Sequence, residues 1–162
     1  MKKFPLAASV AVFCLLAGTA EAQRVRGGFE NAAGGVTAGA AEDVRGPFGG
    51  RAVGERGLVT DGSGNGASGS RGCARGAAGG VGCGQGTTTW NNDGEIDHQQ
   101  SGYASGPFGG RASSEGSLSR DDDGDWSGER NSEFEIGGRT YSAETTFDSD
   151  DGLERDWDCS GC

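Results

Sequence analysis

The sequence predicts a mostly β protein. Repeated antiparallel hairpins end in a C-terminal four-stranded meander, behind a glycine-rich, partly disordered N-terminal half. Three observations predict it. Gly46-Pro47-Phe48-Gly49-Gly50-Arg51-Ala52 recurs unchanged as Gly106-Pro107-Phe108-Gly109-Gly110-Arg111-Ala112, at a 60-residue offset. Gly137-Gly138 lies between segments whose apolar residues alternate, the pattern of a two-residue hairpin turn with positive φ at both positions. Finally, residues 23–162 hold only 16 Leu, Ile, Val and Phe together, well short of the roughly 20% that a self-sufficient single core needs.

The elements follow in order. Met1-Lys2-Lys3 is a short basic opening, and Leu6 to Gly18 is an apolar run too short to anchor in a bilayer. Ala20-Glu21-Ala22 supplies a small-x-small cleavage pattern, so residues 1–22 read as a signal peptide removed before Gln23. That predicts bacterial export to the periplasm or beyond, with no membrane span after cleavage. Residues 23–60 form a first glycine-rich repeat. Residues 61–89 are Gly/Ser/Ala-rich, with almost no apolar anchors, and read as a flexible loop carrying Cys73 and Cys83. Residues 90–158 hold a second repeat and an acidic β-meander, and 159–162 a Cys-x-x-Cys terminus. The repeat extends through Glu55 and Glu115, Leu58 and Leu118, Asp61 and Asp121, with Ile136-Gly137-Gly138-Arg139 as a looser copy. Gly79-Gly80 falls midway between the two heptapeptides and hints at a two-strand unit of about 30 residues.

The meander carries its own register. With Gly137-Gly138 in the turn, Ile136 faces Arg139 and Phe134 faces Tyr141. Five-residue loops at Asp121–Asp125 and Asp148–Gly152, rich in turn-forming Asp, then set Leu118 opposite Gly128 and Phe147 opposite Leu153. Side chains alternate along a strand. Leu118, Trp126, Phe134, Ile136, Tyr141, Phe147, Leu153 and Trp157 therefore share one face, while Glu129, Glu133, Glu135, Glu144, Glu154 and Asp156 share the other. An apolar face needs a cover, for which the candidates are the N-terminal repeat or another molecule.

Beyond the leader the cysteines are Cys73, Cys83, Cys159 and Cys162. An even number in an exported chain favours disulfides. Of the three pairings, Cys73–Cys83 with Cys159–Cys162 closes the shortest loops. A redox role for Cys159-Ser160-Gly161-Cys162 needs a lowered thiol pKa, and Asp156 and Asp158 nearby oppose that.

Charge divides the chain. Residues 23–120 hold nine Arg and nine acids, whereas residues 121–162 hold three Arg and 14 acids. The enzyme motifs are missing: there is no Gly-x-Ser-x-Gly elbow, no His-Glu-x-x-His helix, and no Lys after residue 3 for a phosphate loop. His98 is the sole histidine, in the polar stretch Asp97-His98-Gln99-Gln100. No catalytic residue is predicted. Arg24-Val25-Arg26-Gly27-Gly28-Phe29 contains one RGG-like run, but a single copy in so acidic a chain argues against nucleic acid as a partner. Asp121, Asp123, Asp125, Asp148 and Asp150 offer hard oxygen ligands, making calcium the one cofactor suggested, although neither loop has EF-hand spacing.

The Gly-Pro-x-Gly-Gly turns, Gly-Gly-Arg-Thr-Tyr-Ser at 137–142 and the Asp-rich return loops together resemble those of exported bacterial glycine-rich repeat proteins, over residues 45–58 and 105–158. That resemblance implies export and repeated hairpins, and brings no catalytic residue. The function expected is a non-enzymatic structural, surface or matrix-binding role, through self-association or an unknown surface partner. The alternative is a calcium-dependent binding or adhesion module built on the Asp-rich turns.

Overall fold

The computed structural model describes residues 21–162, which are all β and turn. The predicted signal peptide lies, but for Glu21 and Ala22, outside the described residues. Ten strands run antiparallel in one sheet, each hydrogen-bonded to its neighbours in sequence. They are β1 (Glu21–Glu30), β2 (Val36–Arg45), β3 (Arg51–Thr60), β4 (Gly66–Arg75), β5 (Val81–Trp90), β6 (Ile96–Ser105), β7 (Arg111–Arg120), β8 (Trp126–Ile136), β9 (Arg139–Asp148) and β10 (Gly152–Ser160).

From β1 to β8 the strands begin at one constant interval, because every strand and every turn before β8 has the same length. The fourth turn residue is always glycine with positive φ, from Gly34 (75°) to Gly124 (97°). Any L side chain there meets its own carbonyl, so this glycine sets the period. The turns alternate between two chemistries. Those at 31, 61, 91 and 121 open on Asn or Asp, whose Oδ1 accepts two amides of the same turn: Ala33 and Gly35 donate to Asn31 at 3.0 and 3.1 Å, and Gly124 and Asp125 donate to Asp121 at 2.9 Å each. Those at 46, 76 and 106 open on Gly instead, and Gly46 and Gly50 close the turn through a 2.8 Å backbone bond. Asx turns thus line one end of the sheet and Gly turns the other. A structural unit is one turn of each kind with its strand, the two-strand repeat that Gly79-Gly80 hinted at.

The C-terminal register agrees with the sequence pattern. Leu118 faces Gly128, Phe134 faces Tyr141, and Phe147 faces Leu153. Gly137 and Gly138 take φ of 60° and 77°, as the two-residue hairpin requires. The Asp148–Gly152 loop closes tighter than expected: Asp148 and Gly152 pair with each other, leaving three turn residues and the same register.

Two expectations change, and one of two candidate covers for the meander falls away. Residues 61–89, expected to be a flexible loop, contribute β4 and most of β5. Their glycines align across strands, as in Gly54–Gly72–Gly84–Gly102, so the ladder runs on where side chains are missing. The described part of the N-terminal half, expected to be loose, is regular strand and turn throughout. The expected four-stranded meander is present as the last four strands of the sheet, and of its two candidate covers the N-terminal repeat does not lie over it. All strand contacts are between sequence neighbours, so the N-terminal repeat continues the same layer rather than folding over it. No apolar side chain among the described residues is fully buried. Stability rests instead on the backbone ladder and cross-strand pairs.

Candidate functional site

With no buried side chain among the described residues, the two faces are the surfaces open to other molecules. Residues paired across strands lie on the same face, so the register assigns every side chain. One face, the apolar one, carries the eight residues from Leu118 to Trp157. Of these Trp157 is 69% and Leu153 63% exposed. The other, acidic face carries Glu129, Glu133, Glu135, Glu144, Glu154 and Asp156, as the alternation predicted.

Continuing that assignment across the sheet reveals a segregation that alternation within the meander does not show. On the apolar face from β3 to β10 there are five arginines (Arg56, Arg120, Arg130, Arg139 and Arg155) and no carboxylate. Its two acids, Glu30 and Glu42, lie on β1 and β2, and Glu42 is held by Arg24 at 3.0 Å. The acidic face holds 13 strand carboxylates against five arginines, two of which are paired: Arg51 with Asp43 at 2.6 Å and Arg71 with Glu55 at 2.5 Å. The Arg51 guanidinium hydrogen-bonds the Asp43 carboxyl and holds its pKa below the ordinary range.

The ends differ as well. All nine turn acids are on the Asx-turn end, among them Asp61, Asp93 and Asp121 to Asp123. The Gly-turn end has no acid in its turns and is flanked by Arg45, Arg51, Arg75, Arg111 and Arg139, with Phe48 and Phe108 exposed at the tips. The Asp61 carboxyl titrates below its usual range because the Asn65 amide and the Ser63 N–H donate to it.

The proposed metal residues fall at the Asx-turn end. Turns 121–125 and 149–151 lie side by side, with the Ser149 hydroxyl donating to Asp125 at 3.3 Å. Asp121 already accepts from its own turn, and Asp148 Oδ1 accepts the Asp150 amide at 2.9 Å. Asp123 is exposed on its turn. Among the described residues no three His, Cys, Asp or Glu side chains gather where a metal ion could be held.

Both disulfides join the residues the spacing favoured. Cys73 and Cys83 are directly opposed on β4 and β5, on the acidic face, with Cα atoms 4.0 Å apart. Cys159 at the end of β10 bonds Cys162. His98 lies on the apolar face, its Nδ1 2.8 Å from the Thr88 hydroxyl, with no carboxylate on that face nearby to make it a base.

Shallow grooves lie on both faces. One, about 1500 Å³, runs over the middle strands of the acidic face past Gly39, Gly57, Gly69, Arg71 and Gln85. Two others lie on the apolar face. One of about 700 Å³ contains Arg26, Arg56 and His98, and one of about 500 Å³ contains Arg130, Arg155, Tyr141 and Trp157. In comparisons with protein-family models, curated proteins and solved structures, none matches this chain. The likeness to exported glycine-rich repeat proteins accordingly rests on motifs alone.

Proposed function

We propose that this chain is an exported, non-enzymatic β-repeat protein with a structural, surface or matrix-binding role, and that the open sheet is its working surface. One observation carries the reading: ten strands form a single layer whose large apolar side chains all remain accessible. Natural sheets cover such a face, and apolar patches left open on a soluble chain mark interaction sites. Export is supported by the leader pattern and by two disulfides, which persist in oxidising compartments.

The test is expression of the full chain in a bacterium, followed by fractionation and mass spectrometry. The exported fraction should contain a chain beginning at Gln23, and that chain should sediment with cell-wall or extracellular matrix material. An uncleaved cytoplasmic chain, or a cleaved one that never leaves the soluble fraction, overturns the reading.

A further inference from the structure

One row of the apolar face crosses the whole sheet. Read through the register, it runs Arg26, Ala40, Arg56, Ser70, Gly86, Gln100, Gly116, Arg130, Thr145, Arg155, one residue per strand from β1 to β10. At about 4.8 Å between strands it is roughly 40 Å long. It contains four arginines and no acid. Arg26 and Arg56 lie in one groove of this face, Arg130 and Arg155 in another. In each groove the two are two strands apart, about 10 Å.

None of the four joins an ion pair among the described residues. Two are held in place without being neutralised. Arg130 Nε donates to the Ser114 hydroxyl at 2.9 Å, and Arg155 Nε to the Thr145 hydroxyl at 3.2 Å, so the terminal nitrogens of both guanidiniums are left for a ligand. Arg155 also lies 5.7 Å from the centre of the Trp157 ring. Between the charges stand only short or hydrogen-bonding groups, so an extended chain can lie flat.

The geometry points to a linear, carboxylate-bearing polysaccharide bound across the strands along this row. The inference rests on the matrix-binding role proposed above and names its ligand class. Charge complementarity supplies the first reason, since guanidinium forks match carboxylates. The spacing supplies the second. Within each groove the cations are about 10 Å apart, far enough to meet alternate carboxylates of an extended uronate chain, and between Arg56 and Arg130 the row offers the hydrogen-bonding groups of Ser70 and Gln100 and no further charge. The neighbouring groups supply the third: Ser70, Gln100 and Thr145 can bond sugar hydroxyls, and the exposed Trp157 ring offers a flat face to a sugar ring.

The experiment uses the full oxidised chain and titration calorimetry with polygalacturonate, its fully methyl-esterified form, and a single-stranded oligonucleotide of similar length. Polygalacturonate should bind and the ester should not. R26Q/R56Q and R130Q/R155Q should each weaken binding about tenfold or more, the scale of a lost charge-assisted contact, and flatten its salt dependence. R71Q, on the opposite face, should change nothing. Equal binding of the ester, an equal loss in R71Q, no binding of polygalacturonate, or tighter binding of the oligonucleotide each overturns the inference. The ester comparison needs no variant, so a misfolded mutant leaves it decidable. A chain that sediments with matrix yet ignores polygalacturonate removes this inference and leaves the proposed function standing.

Discussion

Strands β1–β7 and β8–β10 belong to one ladder but are held by different means. In the first seven, long rows of side chain are reduced to Gly, Ala and Ser, as in Gly27–Gly39–Gly57–Gly69, and charge is balanced by the ion pairs of Arg24, Arg51 and Arg71. In the last three, Phe134 and Tyr141, 6.4 Å between ring centres, pair on one face while carboxylates crowd the other. The contrast teaches that a regular ladder does not require regular side chains. Where packing is scarce, turn geometry and a covalent link keep the register; where packing is available, the ladder tolerates uncompensated charge.

The largest effect that could break this comparison is loss of Cys73–Cys83. The Cys73→Ser/Cys83→Ser double variant should lose about 2–3 kcal/mol in chemical denaturation. Hydrogen exchange should accelerate in β3–β6 before β8–β10. Opening Cys159–Cys162, which spans a separation of 3 residues rather than 10, should cost less. Uniform loss across the sheet would erase the distinction. Next comes the turn glycine. Gly79→Val, at φ 96°, should cost about 1–2 kcal/mol, whereas Ala77→Ser in the same turn should be near neutral.

Phe134→Ala should cost up to about 1 kcal/mol, the scale of one cross-strand aromatic pair, with faster exchange confined to β8 and β9. Asp156→Asn should act in the opposite direction. Asp156 sits directly opposite Glu144 on the acidic face, and relieving a like-charge pair should stabilise β9–β10 by a few tenths of a kcal/mol, a gain that shrinks in high salt. The smallest signal is pH-dependent. The folded pKa of Asp61 is lowered by Asn65 and Ser63, so its contribution is complete above the ordinary carboxyl value and fades as pH falls through the folded one. Asp61→Asn should reduce acid loosening of the 61–65 turn in NMR spectra below roughly pH 4.

Much of the C-terminal architecture was legible because large side chains mark period two: Phe134, Tyr141, Phe147 and Leu153 define their partners by alternation. β4 was not legible, because Gly66 to Arg75 carries no large apolar residue to show a face, and β5 carries them only at its ends, Val81 and Trp90. A signal was nevertheless present in the turns. Gly34, Gly49, Gly64, Gly79, Gly94, Gly109 and Gly124 are evenly spaced along the chain, but a total of Gly 34 in the composition hides that series among chance pairs. The arginine row was invisible for another reason. Arg26 and Arg155 meet on one line only once every successive register between them is known.

The alternation of Asx and Gly turns limits how such a chain can grow or shrink. Excising a single strand with its turn would reverse the direction of every later strand, move its acids to the wrong end, and turn Phe134 and Trp157 to the opposite side. Excising two together would restore all of these and merely narrow the platform by two rungs. Length variants of this protein should therefore come in even steps, like a hinged screen from which panels can be removed only in pairs.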